Sequence, residues 1–132
     1  MAKITTVYKG DMLSEVTIGE HTMKVDVPDS MGGKDRGPTP PQIFIVSLGT
    51  CVSALVANYC NQAGLNAEGM TVDVFFEKVE DPVRLKDIRV VINLPNMDVS
   101  KRERAIKAVA EHCPVHETIC SLETVDIEVV GQ

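Results

Sequence analysis

Apolar and polar residues alternate through the first third of the chain. "KITTVYKG" (3–10) is rich in β-branched residues and ends at Gly10-Asp11. "LSEVTI" (13–18) alternates next, Gly19-Glu20 has the composition of a hairpin turn, and "HTMKVDV" (21–27) puts Met23, Val25 and Val27 on one side. A period of two with turn residues between the runs predicts three antiparallel strands. Residues 28–41, "PDSMGGKDRGPTPP", then hold two adjacent glycines and four prolines. A loop of this length in a small domain covers or builds something.

The pattern changes at residue 37: no charged residue occurs between 37 and 67. Within that stretch "QIFIVSLGTCVSALVANYC" is apolar on nearly every side, which predicts a central core helix wrapped by other elements. Its strongly apolar part, 43–57, would be about 22 Å long against the ~30 Å of a bilayer core, so no membrane partner is expected. Pro40 and Pro41 suit the first turn and Gly64 the C-terminal cap. "MTVDVFFEKVE" and "LKDIRVVINLP" read as two more strands joined around Asp81-Pro82. "DVSKRERAIKAVAEHC" is amphipathic, with Ser100 as the expected N-cap, Glu103 at the capping-box position and Ile106, Val109 and Ala110 on the apolar side. "LETVDIEVVG" closes the chain as an expected final strand. The order is βββ-α-ββ-α-β, an α+β fold in a single domain over residues 1–132.

Composition narrows the partners. A formal charge of −6 argues against nucleic acid and anionic membranes, which need a basic surface. With no leader-like opening the expected location is cytoplasmic, where four cysteines are core residues, metal ligands or redox groups rather than permanent disulfides.

The cysteines then separate by position. Cys51 and Cys60 lie nine residues apart on the central helix, two and a half turns, and face opposite sides. Each alone reads as a small buried hydrophobe. Cys113 precedes Pro114, which ends one helix and opens another, "PVHETIC", with Cys113 as its N-cap. Free N–H groups and the helix dipole favour a thiolate there. The spacing Cys113-x-x-His116 is permissible for zinc, but a second Cys/His pair is missing, so no metal and no cofactor are expected. Cys120, His112 and His116 are assigned packing, capping or surface roles.

Two blocks together, "GPTPPQIFIVSLGTCVSALV" and "AIKAVAEHCPVHETI", resemble the central helix and the second helix of the OsmC/Ohr family (osmotically inducible protein C and organic hydroperoxide resistance proteins). The resemblance extends over essentially the whole chain. It implies an intertwined homodimer whose antiparallel sheets wrap the paired central helices. It also implies a thiol-dependent peroxidase: Cys51 attacks an organic hydroperoxide and becomes a sulfenic acid, Cys113 condenses with it to a disulfide, and a cellular dithiol reduces that disulfide. Two features depart from the family pattern. The Asn-Pro-Glu-Glu stretch reads Thr39-Pro40-Pro41-Gln42 here, and no arginine precedes Arg36. Arg36, or Lys34 beside it, and Gln42 are therefore the candidate auxiliary residues. Without a cation, an apolar environment raises a thiol's pKa. The competing reading is a non-enzymatic dimer of the same fold that binds an apolar small molecule or a protein partner. A metal-binding regulator is the third.

Overall fold

The computed structural model describes residues 1–131, and the chain divides into two compact units, Met1–Val46 and Ser47–Gln132, with the boundary inside the central helix. The first unit is built on the predicted meander: β1 (Thr5–Gly10), β2 (Leu13–Ile18) and β3 (His21–Val25) pair antiparallel in that order. Val16 and Val25 are its buried strand residues. The alternation expected to run on to Val27 stops at Val25. Asp26 follows and is itself only 1% exposed, a charged residue where the strand pattern placed a solvent-facing one.

That carboxylate organises the loop behind it. Asp26 accepts hydrogen bonds from the backbone N–H groups of Val27, Lys34 and Arg36, and from Nε of Arg36 at 2.6 Å. Arg36 reaches on to the β1–β2 turn, where its Nη2 donates to the Asp11 carbonyl at 2.8 Å. Lys34 Nζ lies 3.1 Å from the Asp11 carboxylate. A chain that wraps so closely needs glycine at two points. A Cβ at Gly33 would collide with the Val27 carbonyl oxygen, and one at Gly37 with the Lys24 carbonyl oxygen. The long Gly/Pro loop is thus tied around one buried carboxylate and its arginine partner.

The central helix α1 (Pro40–Gln62) starts at the predicted prolines. Thr39 and Gln42 form a reciprocal capping box: the Thr39 N–H donates to Gln42 Oε1 at 2.9 Å, and the Gln42 N–H to Thr39 Oγ1 at 3.4 Å. At the other end Gly64 is left-handed (φ 69°), the Leu65 N–H bonds the Cys60 carbonyl and the Gly64 N–H that of Asn61, the double bond pattern of a Schellman stop. Twenty-three residues make α1 about 34 Å long, longer than its apolar run, so it is long and apolar enough to span a bilayer. Length alone therefore does not separate the two readings. What argues for a core role is its stripe of Leu48, Val52, Val56 and Cys60, all buried.

In the second unit β4 (Thr71–Val79) and β5 (Arg84–Asn93) form an antiparallel pair, with Val74 opposite Val90 and Val72 opposite Ile92. The α1 stripe packs with Ile106 and Cys113 into one cluster, flanked by Val72, Val74, Val90 and Ile92. Helix α2 (Glu103–Glu111) begins three residues after the expected Ser100 cap. Asp98 takes the Ser100 N–H at 3.0 Å, and a tight turn closes on the Val99 carbonyl, so the flanking residue is Arg102. Helix α3 (Pro114–Ser121) follows with Cys113 as its N-cap, where the proline placed it.

The expected final strand does not form within the chain. Residues 122–131 have no strand pairing, and Val125, Ile127 and Val129 are 70%, 86% and 92% exposed. The alternation is present but a strand needs a neighbour for its N–H and C=O groups, and none lies alongside.

Candidate functional site: two thiols at a helix N-terminus

Cys113 and Cys51 come together. Cys51 sits mid-way along α1, on the edge of the buried stripe and partly exposed. Cys113 is fully buried at the start of α3. Their side chains hydrogen-bond each other, and the Val115 backbone N–H points at the Cys51 sulfur. The His116 N–H donates to Cys113 Sγ at 3.5 Å. Both sulfurs therefore face the first turn of α3, whose amides have no partners within the helix. Pro114 arranges this locally. It stops the preceding helix, sets Cys113 in extended backbone (φ −61°, ψ 131°), and leaves the next amides free to point back. All four cysteines are free thiols.

The electrostatics oppose ionisation of Cys51. Burial pushes its thiol above the ordinary range, the Cys113 hydrogen bond raises it further, and the Val115 N–H pulls it partly back. None of the groups acting on this sulfur among the described residues is a cation. Arg36 is held against Asp26, which it keeps well below the usual carboxylate range, while the carboxylate holds the guanidinium charged. Gln42 spends its side-chain oxygen on the Thr39 cap. The structure thus gives Arg36, Lys34 and Gln42 other partners. The arrangement supplies what sulfenate-to-disulfide chemistry needs: one accessible sulfur, a second thiol in contact with it, and N–H donors for the developing negative charge.

The second unit also contains a cavity of about 650 Å³, walled by Val52, Val90, Ile106 and Ile119 and lined by neither Cys51 nor Cys113. The thiol on this wall is Cys120, together with His116. His116 Nε2 lies 3.6 Å from Cys120 Sγ. Sequence reasoning gave these two residues no joint role, although their i, i+4 spacing on "PVHETIC" was the available signal. No group of three or more His, Cys, Asp or Glu able to hold a metal occurs among the described residues.

The sequence matches the family described as OsmC-like protein over residues 32–129. No curated protein matches it. The fold is similar to that of an osmotic stress induced and detoxification response protein from Psychrobacter arcticus, at 20% identity and a TM-score of 0.79, covering 89% of this chain and 88% of that one. An OsmC-like protein from Mycoplasma pneumoniae aligns at 18% identity and a TM-score of 0.76, covering 91% and 87%. The organic hydroperoxide resistance protein of Bacillus subtilis aligns at 18% identity and a TM-score of 0.63, covering 92% and 91%. At these identities the structural likeness establishes the α+β fold; the family match rests on the sequence.

Proposed function

Since this chain belongs to the OsmC-like protein family, we propose that it is a thiol-dependent peroxidase that reduces organic hydroperoxides through Cys51 and Cys113. The observation that carries this reading is the contact between an exposed-edge thiol and a buried one at the start of α3. The Cys51 thiolate attacks the outer oxygen of ROOH; the O–O bond breaks, ROH leaves, and Cys51 becomes a sulfenic acid. The Cys113 thiol displaces hydroxide from that sulfur, forming the S–S bond and releasing water. A cellular dithiol then returns both sulfurs to thiols by exchange. The Val115 amide takes part of the load that a cation carries in the family pattern. It is a dipole rather than a full charge, so the ionised fraction of Cys51 at neutral pH is small.

The name of the Bacillus subtilis structure accords with the substrate class. Four free thiols fit a reducing cytoplasm, and a net charge of −6 does not suit a nucleic-acid partner. The active unit in this reading is a homodimer. An extended, alternating segment at 122–131 with its apolar residues exposed, and the exposed Phe44 and Val46 on α1, are surfaces that a second copy would cover.

The test is one turnover. Reduced protein receives one equivalent of an organic hydroperoxide and is read by intact mass and peptide mapping. We expect an intact mass lower by two hydrogen atoms and a Cys51–Cys113 linked peptide, with the rate down about a hundredfold or more in Cys51→Ser. Equal rates in that variant would sink the proposal. The raised Cys51 titration favours a second reading, a scaffold that binds an apolar molecule without turnover. In that case peroxide leaves both thiols intact over hours while an apolar fluorescent probe still binds.

A further inference from the structure

Cys120 and His116 form a pair that the peroxidase cycle does not use. Cys120 is exposed on the last turn of α3, and His116 stands one turn before it. The imidazole is fixed at both ends. Its Nδ1 lies 2.9 Å from the backbone carbonyl oxygen of Glu111. A carbonyl only accepts, so Nδ1 carries the hydrogen. In the neutral ring, Nε2 therefore presents its lone pair, and it faces Cys120 Sγ at 3.6 Å. The ring need not turn when it takes the thiol proton, because the Nδ1–H bond is the same in both states. A nucleophile, a base within reach, and a third group that orients the base are the components of an activated thiol.

The surroundings define what this thiol can meet. Both residues belong to the wall of the cavity of about 650 Å³, whose other lining includes Val52, Val90, Ile106 and Ile119. That volume lies in the range of small-molecule sites, and the lining selects an apolar chain. Glu103, Lys107 and Glu111 of α2 contribute the charged part of the wall. Among the described residues no disulfide joins Cys120 to a second thiol. Cys113 is seven residues back, about 10 Å along the helix axis, and is engaged with Cys51. A sulfenic acid formed at Cys120 would have no partner to condense with, so a reaction complete with one thiol and one acid–base group suits the pair better.

We infer that Cys120, with His116 as its general base and acid, covalently captures apolar α,β-unsaturated aldehydes or ketones in this cavity. His116 Nε2 takes the Cys120 proton, and the thiolate forms an S–C bond to the β-carbon. The C=C π pair moves to give an enolate, and Nε2–H returns the proton to the α-carbon. Nothing is oxidised and no group leaves. The site is separate from the Cys51–Cys113 couple and does not rest on the peroxidase reading.

The experiment treats the reduced full chain with substoichiometric nonenal or propenal, stabilises adducts with borohydride, and maps each cysteine over time. We expect Cys120 to be labelled first, about tenfold or more faster than N-acetylcysteine. We also expect its preference for nonenal over propenal to exceed that of the free thiol. His116→Gln keeps the size of the side chain and loses the base, and should lower the Cys120 rate about tenfold while far-UV circular dichroism is unchanged. Should that variant misfold, the chain-length preference in the unaltered protein still decides. First labelling at Cys51 or Cys113, or a chain-length ratio equal to that of N-acetylcysteine, would overturn the inference. So would an unchanged rate in His116→Gln.

Discussion

Asp26 and Cys51 meet the same cost with opposite results. Each is an acid withdrawn from water, and burial by itself disfavours its charged form. Asp26 receives three backbone N–H groups and the Arg36 guanidinium, so its ionised form is held firmly and its pKa falls. Cys51 receives one amide and a neighbouring thiol, so its pKa rises. The difference lies in the number and charge of the donors, not in the depth of burial. It also separates purposes. A carboxylate meant to fix a loop is saturated with donors, whereas a sulfur meant to react has to keep a face open.

The largest effect should come from breaking the saturated side. Asp26→Asn removes the nearer counter-charge of Arg36, leaving Asp11 at 3.6 Å, and gives the Lys34 and Arg36 amides a weaker acceptor; we expect Tm to fall by at least several degrees. Gly33→Ala attacks the same knot sterically and should cost about 1–3 kcal/mol in denaturant unfolding. The acid limb gives the sign. A depressed native pKa stabilises the fold above the unfolded carboxylate value of about 3.9, and that contribution drains away as pH falls further. A plot of Tm against pH should therefore drop steeply below about pH 4 in the wild type and less steeply in Asp26→Asn. Identical slopes would mean the pair does not hold the loop.

The next effect is kinetic and concerns the unsaturated side. A thiol titrating above its ordinary range is mostly protonated at neutral pH, so the thiolate fraction grows about tenfold per pH unit between pH 7 and 8. Single-turnover oxidation of Cys51 should follow that slope. A plateau at pH 7 would show that some cation reaches the sulfur after all.

Cys113→Ala should give the smallest shift. It removes the hydrogen bond and the charge effect by which Cys113 raises the Cys51 titration and leaves burial, the largest cause, in place. The Cys51 midpoint, followed by thiolate absorbance, should move down but stay above that of a free thiol. The same variant has no resolving sulfur, so a sulfenic acid on Cys51 should persist long enough to be trapped with dimedone. Immediate loss of the sulfenate would point to a different resolving group.

How much of this was legible beforehand depends on the range of the interaction. The meander, the paired strands β4 and β5, the limits of α1 and the Cys113 N-cap are set by alternation, glycine, proline and capping within a few residues, and the sequence carried them. The juxtaposition of Cys51 with Cys113 entered only through the family resemblance, since 62 positions separate them and local rules do not span that distance. Asp26 looked like the polar half of an alternating strand. Nothing nearby marked it as buried, because its partners are contributed by a loop that folds back from eight to ten residues on. Ser100 failed as a cap because Asp98 and the Val99 turn claimed the same backbone groups first.

By itself, then, the sequence determined the parts: which stretches are strands or helices, where proline frees a set of amides, and which thiols stand near them. Tertiary structure alone decided the charges and the company those parts keep. It bound Arg36 to Asp26, set Gln42 to capping, turned His116 toward Cys120 against an apolar cavity, and left residues 122–131 without a strand neighbour. The physical reason is that propensity and capping are fixed by neighbours along the chain. Desolvation, hydrogen-bond saturation and strand pairing depend on groups that only folding, or a second chain, brings into reach.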